Sequence, residues 1–293
     1  MIINLPFSLV DVFTHAPLSG NGLALFLLDS EISTQGMQRI TQEMRQFESI
    51  FLLATPDPQR FRARIFTMEE ELPFAGHPVI GAAACLHAQR FVDSPALSLE
   101  LLMGERIIQT RSYRADDAWF GEMDQGSATV DAPLPAQHEA QLLAALNLTV
   151  ADKIPHLPLQ VISTGLPYLI VPIQSNLAHA RIVAPDFAAL LATVGAKFVY
   201  VLDVAACEGR TWDNSGRVED IATGSAVGPA ATYLVIHGLA ATGSDILIHQ
   251  GRFLQRSSQL HVNVSAGPPL GVRVSGQVCM VGTGVLRLLA ALL

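Results

Sequence analysis

Residues 71–89 read ELPFAGHPVIGAAACLHAQ, and this stretch decides the fold. Its front is loop-like, punctuated by Pro73, Gly76 and Pro78. From Pro78 onward it is small and apolar on every side (Val79, Ile80, Ala82, Ala83, Ala84, Leu86), the composition of a helix buried all round. Pro78 suits the first helical position, where a missing N–H costs nothing. Residues 219–238, EDIATGSAVGPAATYLVIHG, repeat the design at an offset of 148 residues, Glu71 falling on Glu219. Gly76 then meets Gly224, Val79 meets Val227, Ala82 and Ala83 meet Ala230 and Ala231, and Leu86 meets Leu234. Coincidence is the plain alternative, since Ala, Val and Leu are common here. The shared plan of strand, glycine loop and buried helix instead points to a duplicated domain, because two copies this far apart do not make an array. Pro229 sits at or just past the first turn of the second helix, which would start it a residue or two after Gly224.

Around these two segments the chain reads mostly as strands. SLVDVF, then the turn residues of HAPLSGNG, then LALFLL give strand, turn, strand over Ser8–Leu28. Ile32 to Arg45 reads as a surface helix, with Ile32, Met37, Ile40 and Met44 on one face. SIFLLA and FRARIFT follow as strands. Phe120 to Pro158 is richer in Pro, Asp and Gln, and the domain crossover is placed near its start. LQVISTGLPYLIVPI and KFVYVLDV resume strands, and LHVNV, GVRVSG and VCMVG close the chain as three more. Gly282-Thr-Gly284 reads as a turn. Ser163-Thr-Gly165 is either a loop near the site or a strand bend.

Composition excludes several classes. Half of the 293 residues are hydrophobic and 15% are charged, enough to bury a large core and too apolar for disorder. The net charge is −8, from 18 basic and 26 acidic residues without a basic run, so no nucleic-acid footprint is visible. The three cysteines, Cys85, Cys207 and Cys279, form neither a CxxC pair nor a disulfide framework, which fits a reducing compartment. No signal peptide is visible, and the closing LRLLAALL falls short of the ~20 residues a span needs. The expectation is a cytoplasmic protein without a membrane partner. Nine histidines show no HxxxH or HExxH spacing, so no metal site is expected.

The chemistry gathers at the helix openings. Gly76-His77 and Gly224-Ser225 each stand at a helix start, where free N–H groups and the positive dipole end favour an anion. Facing each other, the two ends would grip a carboxylate, so the substrate class reads as a small organic acid. Neither loop continues into the GK[ST] of a phosphate loop. Glu48, before the apolar run SIFLLA, is either a solvated strand-end residue or a base whose pKa burial raises. Asp220 is either a cap or a catalytic carboxylate, and capping is the simplest role for His77 and Ser225 as well.

SLVDVFTHAPLSGNG, RIFTMEEELPFAGHPVIGAA, ISTGLPYLIVPI, EDIATGSAVGPAATYLV and HQGRFLQRSSQLHV…VSGQVCMVGTG together closely resemble the PhzF-like isomerase family of phenazine biosynthesis, in order and over essentially the whole chain. The pair ELPFAGHP and ED-x-ATGSA is the specific part. The resemblance implies an α+β, diaminopimelate-epimerase-like fold of two similar domains, each a twisted, mostly antiparallel sheet around a central helix. The domains expected are residues 1–118, with a last strand over 281–293 returning to them, and 119–280. The resemblance also implies a homodimer, no cofactor, and a site between the domains. Carried over residue by residue, it makes Glu48, Asp220 and His77 catalytic and has Gly76, Gly224 and Ser225 bind substrate. The chain departs from the pattern around that site. Gly22 and Ile221 stand where the family usually has Pro, and Phe47 where it has a polar residue. Thr67-Met68 replaces a common Thr-Pro, and the loop around Trp212–Gly216 is one residue shorter. These departures bear on substrate identity more than on mechanism.

The expected function is a cofactor-independent isomerase that moves a proton on a small cyclic or amino-acid-like acid. In the family's reaction, on a dihydro-hydroxyanthranilate ring, Glu48 would take and return the proton while Asp220, His77 and Ser225 polarise the amino and carboxylate groups. A non-catalytic module binding a small acid or a protein is the alternative. A two-cysteine racemase on the same fold is disfavoured, because the helix openings carry His77 and Ser225 where that chemistry needs thiols.

Overall fold

A computed structural model describes residues 2–289. Contacts divide the chain into two compact units, one running to Asp124 and resuming at Ser275, the other spanning Gln125–Val274. The first holds β1 (Ile2–Val12), β2 (Asn21–Leu28), α1 (Thr34–Met44), β3 (Glu48–Ala54), β4 (Arg60–Phe66), β5 (Glu71–Leu72), α2 (Gly76–Arg90), β6 (Ala96–Met103), β7 (Arg106–Ala115) and β8 (Ala118–Ser127). The second holds β9 (Thr129–Val130), α3 (Ala136–Ala145), β10 (Gln160–Ser163), β11 (Pro167–Ile173), α4 (Phe187–Ala192), β12 (Phe198–Asp203), β13 (Glu208–Arg210), α5 (Gly224–Ile236), β14 (Asp245–Gln250) and β15 (Ser258–Val264). The last strand is β16 (Gly271–Leu289). Both seams, 124/125 and 274/275, fall inside strands, β8 and β16, rather than in linkers.

In the first unit the strands neighbour one another in the order β1-β2-β3-β4-β6-β7-β8-β16. Because β16 also pairs with β1, eight strands close into a barrel. Successive pairs from β1 to β8 run antiparallel, parallel, antiparallel, parallel, antiparallel, antiparallel. A parallel pair cannot be joined by a hairpin, and α1 and α2 are the two crossovers this pattern demands. In the second unit the pairs from β10 to β15 run antiparallel, parallel, antiparallel, parallel, antiparallel, with α4 and α5 as crossovers. The two units therefore share one order of strands, directions and helices, and the fold is α+β.

Each unit wraps its sheet around one helix. Helix α2 packs on β1, β2, β3, β6 and β7, and every residue from Gly76 to His87 is buried. Helix α5 packs on β10, β11, β12, β14 and β15, and Ala226–Leu234 is buried throughout. With side chains this small and apolar, neighbouring strands can close on every face of the helix. Each fully buried Val, Leu or Ile stabilises the unit by about 1.5–3 kcal/mol. Helix α1 is one-sided by contrast. Ser33 caps it by accepting from the Gly36 N–H at 3.0 Å, and it buries Met37 and Ile40.

The repeated glutamates are anchored alike. Arg64 on β4 donates through Nε and Nη2 to the two carboxylate oxygens of Glu71 at 2.7 and 2.6 Å. Arg210 on β13, the equivalent strand, does the same to Glu219 at 2.8 and 2.6 Å. Each forked pair ties the loop that enters the central helix to the strand before it.

Several expectations are corrected. Helix α2 starts at Gly76, so Pro78 is its third residue, still within the turn whose N–H groups lack helical partners. Helix α5 starts at Gly224 despite Pro229, which lies inside it and removes only the hydrogen bond that would reach the Ser225 carbonyl. Gly282-Thr-Gly284 is not a turn but part of β16, and GVRVSG and VCMVG are that one strand. A Cβ at position 284 would lie 2.5 Å from the Phe7 ring, so the glycine answers a close approach within the strand. Residues 290–293 of the returning strand lie outside the described residues. Among the described residues no helix is long and apolar enough to cross a membrane.

Candidate active site

In the first unit, Glu48 opens β3 and His77 is the second residue of α2. Both are nearly sealed, at 6% and 4% exposure. His77 Nε2 lies 3.0 Å from Glu48 Oε2, a contact distance off hydrogen-bond alignment. The ring's other nitrogen, Nδ1, lies 3.4 Å from the Asn21 amide nitrogen, and the Gly22 backbone hydrogen-bonds the ring. Burial pushes His77 down to about 3, against a smaller opposing effect of the Gly22 bond, so the imidazole is neutral near pH 7. It meets its neighbour as a neutral ring rather than as a cation.

The departures at positions 22 and 47 belong to this same shell. In the parallel ladder Leu23 stands beside Glu48, which brings Gly22 alongside the residues just before the base. A Cβ at position 22 would lie 2.5 Å from Gln46 Oε1, so the Gln46 carboxamide fills the space a side chain there would take. The Phe47 ring lies 6.5 Å from the His77 ring, centroid to centroid, and Ile50, on Glu48's side of the strand, is fully buried.

In the second unit, Asp220 sits in the loop before α5. Its Oδ1 accepts from the Ala222 N–H at 3.3 Å, and its Oδ2 accepts from the Thr223 hydroxyl at 2.5 Å. Ser225 is the second residue of α5, and its Oγ shares a 2.8 Å hydrogen bond with the Tyr168 hydroxyl. Burial raises the Tyr168 pKa, the Ser225 bond opposes that rise, and the Asp220 charge adds to it, so the phenol keeps its proton. The Gly224 carbonyl accepts from Gln125 Nε2 at 2.7 Å, and Gln125 in turn accepts from Thr164 at 2.9 Å. Ser163 ends β10 and Thr164-Gly165 bend the chain toward β11, so the segment is a strand bend, linked to the helix start through Gln125.

Helix capping does not account for His77 and Ser225, whereas Asp220 does cap its own loop by accepting from the Ala222 N–H. The cap positions are Ala75 and Thr223, neither of which makes a side-chain cap bond, and His77 and Ser225 lie inside their helices. Reading the sequence missed Asn21, Gln125, Tyr168 and Thr223. Asn21, Tyr168 and Thr223 lie inside the stretches that carry the family resemblance, but their roles rest on partners that the sequence pattern does not name, most of them far away in the chain.

Comparison with known proteins places the chain in a family. Phenazine biosynthesis-like proteins match the chain over residues 10–286. The chain belongs to that family. A trans-2,3-dihydro-3-hydroxyanthranilate isomerase from Pseudomonas chlororaphis is 32% identical over 297 residues, covering 96% of this chain and 99% of the relative. A solved structure from Pseudomonas aeruginosa, described as a predicted epimerase, shares 48% identity at a TM-score of 0.89, covering 96% of this chain and 99% of its own. At 13% identity, a probable proline racemase from Agrobacterium radiobacter shares the fold at a TM-score of 0.62, over 96% of this chain and 92% of its own. Within the phenazine biosynthesis-like family this chain is an isomerase. Its thiols are poorly placed for racemase chemistry. Cys85 is buried inside α2 and burial pushes it up to about 11, while burial also raises Cys207 and Cys279.

Proposed function

We propose that this isomerase moves a proton within a small cyclic or amino-acid-like organic acid, without a cofactor, and that Glu48 carries the proton. The observation behind this reading is the sealed Glu48–His77 pair, with its 3.0 Å contact. A carboxylate buried this deeply can accept a proton from a weakly acidic carbon and return it to another. The neutral imidazole beside it has no spare proton to give near pH 7, so it positions the carboxylate. Asp220, with Ser225 and the first turn of α5, binds the substrate's amino and carboxylate groups. The reading requires both sets of residues to meet one substrate molecule. General acid–base catalysis of this kind supplies ~10²–10⁴-fold, and holding the substrate in a reactive pose supplies the remainder.

The test is incorporation of solvent deuterium followed by NMR. The first probe is trans-2,3-dihydro-3-hydroxyanthranilate, the compound in the Pseudomonas chlororaphis relative's name, followed by a panel of small cyclic and amino acids. Deuterium at a ring or α carbon of one probe supports the proposal. Saturable binding across the panel without any exchange would leave the chain a small-acid-binding module instead.

A further inference from the structure

Besides the Arg210–Glu219 pair, a second side chain holds the loop that carries Asp220. Gln250 ends β14, and its carboxamide is 1% exposed. Its Nε2 donates to the Asp220 carbonyl at 2.9 Å and to the Thr223 hydroxyl oxygen at 3.0 Å. Its Oε1 accepts from the Thr223 N–H and from the Tyr200 hydroxyl, each at 3.3 Å. These partners fix which end of the amide is which. Turned over, it would set an NH₂ against a backbone N–H and an oxygen against a carbonyl. Since the Thr223 oxygen accepts from Gln250, its hydrogen points the other way, and 2.5 Å off in that direction is Asp220 Oδ2.

We infer that Gln250 is a positioning residue for Asp220, acting by fixing the Thr223 hydroxyl as a donor to the Asp220 carboxylate. This rests on the reading of Asp220 as a substrate-binding carboxylate. A hydroxyl can donate or accept, and only a donated hydrogen bond stabilises the charged form of an acid. Gln250 removes the choice. The carboxylate is thereby kept ionised and aimed, ready to accept from a substrate ammonium or hydroxyl. The phenols facing it from β11 and β12, Tyr168 and Tyr200, both have their pKa raised by burial first, so they stay protonated.

The experiment follows the Asp220 carboxyl carbon by ¹³C NMR as pH is varied, in protein labelled at aspartate. This readout needs no substrate, so it stands even if no exchange activity is found. Thr223→Val keeps the side-chain shape and removes the hydroxyl, and the Asp220 midpoint should rise by about one pH unit. Thr223→Ser should return it. With a substrate in hand, kcat/KM in Thr223→Val should fall roughly 10-fold, mostly through KM. Gln250→Leu should raise the midpoint in wild-type background and raise it by less once Thr223 is Val, because the part of its influence routed through that hydroxyl is then already lost, while its bond to the Asp220 carbonyl remains in both backgrounds. If Gln250→Leu does not fold, Gln250→Met, which keeps the length of the side chain and removes the amide, takes its place in both backgrounds. An unchanged midpoint in Thr223→Val, a serine that fails to restore it, or equal Gln250→Leu shifts in both backgrounds would each overturn the inference.

Discussion

At the residue scale, the account turns on a histidine that is not charged. His77 is held at about 3 in the folded protein against an ordinary value of 6.5, chiefly by burial. Between those values the unfolded chain binds a proton at this ring and the folded chain does not. Stability is therefore full above the upper value and is lost as pH falls toward the lower one. His77→Asn removes that dependence. Urea midpoints measured from about pH 7 down to about pH 4 should fall more steeply for the wild type than for the variant. Parallel curves would mean the ring takes up its proton while folded. A neutral His77 also limits its own chemistry, since the imidazolium needed for a general acid is scarce at working pH.

At the element scale, the central helices were legible and the parts that hold the site were not. The small, all-round apolar run of Pro78–Leu86 has one physical solution, a helix enclosed on every face, and α2 is that helix. Its counterpart in α5 was legible for the same reason, although Pro229 misleads about the start. The long β16 was misread because a Gly-Thr-Gly run carries turn chemistry locally, whereas the Phe7 ring that requires Gly284 lies far away in the chain. The roles of Gln250, Tyr168 and Gln125 were not legible for the same reason, although the first two lie in stretches that carry the family resemblance. A buried amide or phenol is specified by its partners, and those partners are not in its neighbourhood of sequence. Enclosure has a measurable consequence. Leu86→Ala, at a fully buried position of α2, should cost about 2–5 kcal/mol in chemical unfolding. Glu43→Ala, on the exposed face of α1, should stay within about 0.5 kcal/mol. Similar costs at the two positions would contradict the description of α2 as a core element.

At the scale of the whole molecule, one design is used twice and then made unequal. Both units share the order of strand directions and the same two crossovers. Both tie the approach to the central helix with a forked arginine–glutamate pair. They differ in what stands at the helix start: His77 against a sealed Glu48 in the first unit, Ser225 with a hydrogen-bonded Asp220 in the second. A duplicated frame with different carboxylate settings is a way to separate one acid–base task from one binding task. The most direct test is a pair of isosteric changes, Glu48→Gln and Asp220→Asn, each assayed for solvent deuterium exchange and for ligand affinity on the probe that exchanges with the wild type. The account predicts that Glu48→Gln abolishes exchange while leaving affinity within a few-fold, and that Asp220→Asn weakens both. Exchange surviving in Glu48→Gln would contradict it, because the proton would then be carried by another group.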